Sequence, residues 1–568
     1  MSASNATAAN NVDYDAVIIG AGFAGLYQLY KLRDRLGLNV HLFEKGSGIG
    51  GTWFWNKYPG AMSDTESPFY RYSFDDDFLA DWDWQRKYVD QPDILAYLEE
   101  TVRRFDLGRN IELNTEVTGM VWSDDGHWSV RTADGRIVTS TYVVTALGLL
   151  SVTNLPAIPG LGDFKGRLVH TAEYPDDLDI AGKRVGIIGT GSTGCQFIVA
   201  SAPVVEKLTV FQRSPQYSVP SGNGPVEEGE VDGFKARWGE ILPQIRESAV
   251  AFGFKESTVP TMSVSAEERE RVFQQAWDRG NGFYYMFGTF CDLATDSEAN
   301  EAAAAFIRKK IKETVKDPAT AGRLTPLTPY AKRPLCNHEY YEVYNRANVE
   351  LVSIREDDTP IERVTARGVL TSDGQEHPLD VLVLATGFDA VDGNYRKLDL
   401  WGRQHINKHW DPAPTSYMGI MTAGFPNMFM VVGPNGPFVN IVAGIEVQVE
   451  FITTLVQAAE VRGKIVEATK EAEDAWTETC KTIAGMTLFA KEQSWIFGAN
   501  IPGKRHSVLF YLGGLKNYRD CLETSARNGM QGFAFPNETT VRSKVEAAVS
   551  ESKGGEMEHI EVAPAQVT

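Results

Sequence analysis

The sequence predicts an α/β fold: two interleaved Rossmann-type dinucleotide-binding domains with a helical insertion. Three observations carry it. A glycine-rich turn joins an apolar strand to a helix at residues 20–25, the same pattern returns at residues 189–194, and a charged stretch of helical periodicity follows. At 568 residues the chain has room for roughly three to four domains.

The first unit opens with a short apolar run at residues 16–19. Gly20, Ala21, Gly22, Phe23, Ala24 and Gly25 follow, then helical spacing through Leu26, Leu29, Tyr30 and Leu32. A second strand at residues 40–43 ends on Glu44. In this layout Gly20 allows the tight turn, Gly22 admits a pyrophosphate to the backbone, and Gly25 lets helix and strand pack closely. The helix N-terminus offers unpaired N–H groups to the phosphates. The second unit repeats the plan, with a strand at residues 184–188, then Gly189, Thr190, Gly191, Ser192, Thr193 and Gly194, a helix, and a strand at residues 207–212. Arg213 now occupies the place of Glu44. An acid there accepts hydrogen bonds from ribose hydroxyls, and a cation there pairs with a 2′-phosphate, so the first turn suits FAD and the second NADPH.

The remaining elements complete the division. Apolar strands at residues 142–148 and 381–387 end in small residues and mark where the chain crosses between the two units. The expected boundaries are residues 1–150 and 388–545 for the FAD domain, 151–226 and 328–387 for the NADP domain, 227–327 for the helical insertion, and 546–568 for a disordered tail.

Composition excludes several classes of function. Hydrophobic residues make up 43% of the chain and charged residues 23%, enough to bury substantial cores. Lys and Arg number 55 against 75 Asp and Glu, a net charge of −20 that argues against nucleic acid or an anionic membrane as main partner. The five cysteines are scattered and form no C-x-x-C pair, so neither a disulfide framework nor a zinc site is expected. The polar start carries no apolar leader segment, and no uninterrupted apolar run reaches the length of a membrane span, about 20 residues. The expectation is a soluble cytoplasmic protein without membrane insertion, and a monomer is compatible with the absence of heptads.

Two nucleotide turns leave several flavoproteins open. Disulfide reductases need a cysteine pair beside the flavin, and no two cysteines here are close in sequence. Flavin monooxygenases remain. The run Gly51-Thr52-Trp53-Phe54-Trp55-Asn56-Lys57-Tyr58-Pro59-Gly60-Ala61-Met62-Ser63-Asp64 matches G-x-W-x-x-x-x-Y-P-G-x-x-x-D at every fixed position. A second run from Phe164 to Pro175 matches F-x-G-x-x-x-H-x-x-x-W except that Tyr174 stands in place of Trp. Together they resemble the signatures of the Baeyer–Villiger monooxygenases. Segments around Arg333, Gly387, Asn435 and Trp495 are similar to the cyclohexanone monooxygenase branch.

That resemblance implies insertion of one oxygen atom from O2 beside a ketone carbonyl, through a peroxyflavin, with NADPH as reductant and an ester or lactone as product. It implies a fixed cation near the flavin, Arg333, oriented by Asp64. Lys332 would join Arg213 on the 2′-phosphate, and Trp495 would touch the bound nucleotide from a closing loop. Gly51, Thr52, Trp53, Tyr58 and Gln196 complete the expected cofactor set. Leu149, Phe252, Phe283, Phe438, Val439, Ile441 and Phe510 map to the border of an apolar ketone pocket. His170 falls in the linker between domains and is expected to couple nucleotide binding to domain orientation. Two rivals stay open at this point: a monooxygenase acting on amine nitrogen or sulfide sulfur, and a non-catalytic nucleotide-binding redox sensor.

Overall fold

The computed structural model describes residues 12–355 and 357–538. The expected disordered tail, residues 546–568, and the polar start lie outside these residues.

The period-two and continuous apolar runs of the sequence fold into two large sheets. The first has eight strands. Its spine runs Asp399–Trp401, Val117–Ser123, His127–Thr132, Ile137–Thr145, Tyr14–Ile19, Val40–Phe43, Ile111–Glu112, with Met428–Met430 also paired to Ile137–Thr145. Tyr14–Ile19 is parallel to both neighbours, with Ile19 opposite Phe43 and Thr145. Its last four residues are buried. That burial on both faces is why the strand reads as an unbroken apolar run rather than an alternating one.

The second sheet is entirely parallel, in the order Val349–Ser353, Lys207–Gln212, Arg184–Ile188, Val381–Leu384, Arg167–His170. Parallel neighbours require crossovers, and the helix Ser192–Ser201 supplies the one between Arg184–Ile188 and Lys207–Gln212. A small antiparallel sheet of Ile361–Val364, Gly368–Thr371 and Glu376–Pro378 is attached between the strands Val349–Ser353 and Val381–Leu384 of the chain.

Between residues 227 and 327, all of them described, there are helices and no strands. Ser265 and Asp296 cap the helices Ala266–Arg279 and Ser297–Thr314 through side-chain bonds to backbone N–H groups. Phe273 and Phe306 pack these two helices together, with ring centroids 5.8 Å apart. One helix, Ile441–Val461, is long and apolar enough to cross a membrane by length and composition. It belongs to the core beside the first sheet: Val442, Val449, Ile452, Leu455 and Val456 are fully buried there. Glu446, Gln448 and Glu450 interrupt its apolar sequence.

Candidate active site

A cavity of about 2320 Å³ is lined by the residues at the carboxyl ends of strands from both parallel arrays. Ile19, Phe43 and Ala146 come from one sheet, and Ile188, Phe211 and Ala385 from the other. Ligands of open parallel sheets bind outside these strand ends. The volume exceeds the roughly 300–1,000 Å³ of a site for one small molecule.

Both glycine turns reach this cavity. Gly20, Gly22, Phe23 and Ala24 line it on one side, and Gly189, Thr190, Gly191, Ser192 and Thr193 on the other. Gly25 and Gly194 stand off it. A β-carbon on Gly25 would fall 1.8 Å from the Gly20 carbonyl oxygen, and one on Gly194 would fall 2.2 Å from that of Gly189. Their part is to let each helix close onto its own turn, which brings the helix N-terminus to the cavity wall.

The acid and cation that end the second strands behave differently. Glu44 is 5% exposed, with one carboxylate oxygen accepting from the Ala21 N–H and the other from the Gly46 N–H, both at 2.8 Å. It therefore braces the phosphate turn while facing the cavity. Arg213 is exposed at the cavity wall and enters no ion pair among the described residues. Gly51, Thr52, Trp53 and Tyr58 also line the cavity, and Gly51 meets Gly22, whose Cα would be 2.9 Å from a Gly51 β-carbon.

Arg333 and Asp64, 269 positions apart, meet in the middle. Arg333 Nη1 donates to Asp64 Oδ2 at 2.5 Å. The Asp64 side chain is 4% exposed and that of Arg333 is 28% exposed. Ser192 Oγ donates to the same carboxylate oxygen at 3.1 Å, and Gln196 Nε2 donates to Oδ1 at 3.2 Å. Tyr58 in turn donates its hydroxyl to Gln196 Oε1 at 2.7 Å. The aspartate of one sequence motif is thus held by two residues of the second nucleotide helix, and it fixes the guanidinium. Arg333 also lies 5.2 Å from the Phe283 ring centroid.

Around that cation the walls are apolar. Phe252 stacks on Phe283 at 3.9 Å between centroids. Phe438 lies 5.2 Å from Phe510 and 6.2 Å from Trp495, and Trp495 meets Phe510 edge-on at 5.8 Å. Leu149, Val439 and Ile441 complete the same wall. Trp495 stands in a short 3-10 turn, Trp495–Phe497. The glycine-rich stretch after it is not left open: Asn500 Nδ2 donates to the Phe388 carbonyl at 2.8 Å, and Lys504 pairs with Asp389 at 2.5 Å.

Lys332 lies where three cations converge, within the fields of Arg213 and Arg355. Burial pushes its ammonium below the usual lysine range, and a weak contact with Glu492 at 3.9 Å opposes that shift. Glu492, nearly buried, is pushed up by the same desolvation. Arg355 and Glu492 were not anticipated from the sequence. The pairing of Ser353 with Gln212, a register the sequence does not show, makes Arg355 and Arg213 leave neighbouring parallel strands at the same end. Glu492 had no sequence signal either, because it reaches Lys332 from a segment 160 residues away.

His170 lies off the cavity and is 5% exposed. Its Nδ1 accepts from the Ala172 N–H at 3.2 Å, and burial lowers its pKa, so the neutral ring is favoured. Tyr174 is also buried, with its hydroxyl unpartnered. All five cysteines are free, and none lines the cavity.

Comparison with known proteins agrees with this geometry. A family model described as flavin-binding monooxygenase-like matches residues 14–219. A Baeyer–Villiger monooxygenase of Pseudooceanicola batsensis is 53% identical over 91% of this chain and 95% of its own length. The phenazine N-monooxygenase PhzNO1 of Lysobacter antibioticus is 52% identical over 92% of this chain and 96% of its own. The structure of cyclohexanone monooxygenase from Rhodococcus sp. Phi1 bound to NADP+ superposes with a TM-score of 0.90 at 57% identity, covering 92% of this chain and 98% of that one. At such identity over nine-tenths of its length, and with both nucleotide turns in place, the chain belongs to the Baeyer–Villiger monooxygenase family of FAD- and NADPH-dependent enzymes.

Proposed function

We propose that the preferred substrates are cyclic ketones, converted to lactones, and that Arg333 carries the charge stabilisation. The Arg333–Asp64 pair supports this reading most directly. It is a fixed cation, braced by Ser192 and Gln196, at the edge of an aromatic wall. FAD and NADPH, when bound, supply the hydride transfer and the activation of O2. The residues present fit both groups: Gly22 and Gly51 leave a backbone cleft for a pyrophosphate, Glu44 offers carboxylate lone pairs to ribose, and Arg213 with Lys332 suits a 2′-phosphate.

The protein's own part is positioning and electrostatics. The Arg333 guanidinium offers a planar fork of N–H donors. It is preorganised by Asp64, so no reorganisation is needed as negative charge develops at the ketone oxygen. The aromatic wall excludes water and offers the ketone ring an apolar seat. Such walls discriminate by only about 1–3 kcal/mol per methylene, which favours a range of ring sizes. The test is NADPH consumption in air with a series of ketones from small rings to macrocycles, with product analysis. Ketone-dependent consumption with lactone formation is expected. No stimulation by any cyclic ketone would refute the reading.

A second activity, oxidation of a ring nitrogen, is favoured by the stacked Phe252–Phe283 pair, a flat face for a planar heteroaromatic. The 52% identity to a phenazine N-monooxygenase supports it. Conversion of phenazine to its N-oxide, measured beside cyclohexanone turnover, tests this second activity; no N-oxide would refute it.

A further inference from the structure

Ser192 and Gln196 stand four positions apart on one helix, Ser192–Ser201, so their side chains share a face. That face meets the segment Tyr58–Asp64. Gln196 is buried and spends its amide there. Its Nε2 donates to the Met62 carbonyl at 3.0 Å and to Asp64 Oδ1 at 3.2 Å. Its Oε1 accepts from the Tyr58 hydroxyl at 2.7 Å. An amide nitrogen carries two protons, so none is left for a phosphate. Ser192 Oγ donates its single proton to Asp64 Oδ2 at 3.1 Å. The backbone is fitted to this contact as well. Gly60 has φ +84°, and a β-carbon on it would fall 2.7 Å from the Gln196 carbonyl oxygen and 2.8 Å from Ala200 Cβ.

Arg333 depends on this arrangement. It stands outside any helix or strand, and among the described residues Asp64 is its one hydrogen-bond partner. The Phe283 ring, 5.2 Å from the guanidinium carbon, attracts the charge without fixing which way the fork points. The direction of the guanidinium is therefore set by the Asp64 carboxylate. Asp64 also stands outside regular structure. The last torsion of an aspartate side chain is broad, so the carboxylate plane is free to turn unless donors hold it. The helix supplies one donor to each oxygen, Ser192 to Oδ2 and Gln196 to Oδ1. Arg333 then takes the remaining side of Oδ2 at 2.5 Å.

We propose that Ser192 and Gln196 are positioning residues for oxygen insertion: through Asp64 they aim Arg333, and their side chains are not ligands of the nucleotide. This rests on the reading of Arg333 as the charge-stabilising group. It departs from the role that the glycine-turn pattern gives these positions. As first residue of the helix, Ser192 still offers its backbone N–H to a phosphate. Its hydroxyl is committed to Asp64.

The test uses the FAD-loaded full chain, with Ser192→Ala, Gln196→Met and Arg333→Ala measured side by side. Ser192→Ala removes one donor from the carboxylate; Gln196→Met keeps a stem of similar length and removes the amide. Each should lower kcat for ester formation about 10-fold, the lower end of what one hydrogen bond to a charged group is worth. The KM for NADPH should stay nearly unchanged, as should flavin reduction followed by anaerobic stopped-flow absorbance. A side chain that binds the nucleotide would instead raise that KM and slow reduction. Should Gln196→Met fail to fold through loss of its bonds to Tyr58 and Met62, Ser192→Ala decides alone. Unchanged ester formation in Ser192→Ala, an equal fall in both steps, or a raised KM for NADPH at unchanged kcat would each overturn the proposal. Arg333→Ala keeps the two readings apart. Normal ester formation by that variant refutes the charge-stabilising reading itself. Loss of ester in Arg333→Ala, with Ser192→Ala unaffected, overturns only the positioning of Arg333 by the helix.

Discussion

Replacing Arg333 with alanine separates two roles that one side chain performs. The first is structural. Asp64 is 4% exposed at its side chain, and without Arg333 it keeps only the Ser192 and Gln196 donors, at 3.1 and 3.2 Å. Breaking a buried pair costs about 3–5 kcal/mol. Arg333 is 28% exposed, so water can enter the space it leaves, which places the cost near the lower end, about 3 kcal/mol. Asp64→Asn in the same background removes the stranded charge and should restore most of the lost thermal stability. The second role is electrostatic. Removing one preorganised donor at a developing charge costs about 2.7–4 kcal/mol, or roughly 100–1,000-fold in rate. Reduction of the flavin precedes any charge on the ketone oxygen, so the reductive step should fall far less than ester formation. Anaerobic stopped-flow absorbance of the flavin measures the reductive step; gas chromatography measures the ester, and a peroxidase assay any uncoupled peroxide. Flavin reduction with little ester is the expected result. Ester formation above about a tenth of the wild-type rate, or an equal loss in both steps, would refute this account of Arg333.

Lys332→Glu should raise the KM for NADPH about 10–150-fold while leaving that for NADH nearly unchanged, as steady-state kinetics with both nucleotides will show. Because burial depresses the Lys332 ammonium, its charge is lost as pH rises, and kcat/KM for NADPH should begin to fall below the ordinary lysine value of 10.5. Lys332→Arg should remove that alkaline limb. Gly25→Ala places a β-carbon 1.8 Å from the Gly20 carbonyl and should lower flavin content and stability by at least about 1–3 kcal/mol, read by flavin absorbance and thermal melting. Tyr174→Phe removes a buried, unpartnered hydroxyl and should raise thermal stability by up to about 1–3 kcal/mol without loss of activity.

Features governed by local backbone geometry were legible in the sequence. Gly25 and Gly194 are glycines because the carbonyls of Gly20 and Gly189, at the start of each turn, leave no room for a side chain, and that demand is written into six consecutive letters. The Glu44 and Arg213 contrast was legible for the same reason, since each directly ends a strand. Gly25 and Gly194 act from behind the cavity wall, in the packing role that the turn pattern gives Gly25. The meeting of Asp64 with Ser192 and Gln196 could not be read, because it depends on how two units dock. Glu492 beside Lys332 was hidden for that reason too, because it arrives from a segment 160 residues away through tertiary packing.

The pairing of Met428–Met430 with Ile137–Thr145 has a consequence for synthesis on the ribosome. At about 5–20 residues per second, the early strands wait on the order of tens of seconds for that partner to emerge. Meanwhile the all-parallel sheet gains its last strand with Val381–Leu384, earlier in the chain. The domain that starts second therefore finishes first, and the unfinished edge of the other must be shielded from neighbouring nascent chains. A nascent chain stalled before residue 428 has emerged should consequently protect Arg184–Ile188 from proteolysis more strongly than Val143–Thr145, which still lack one partner strand.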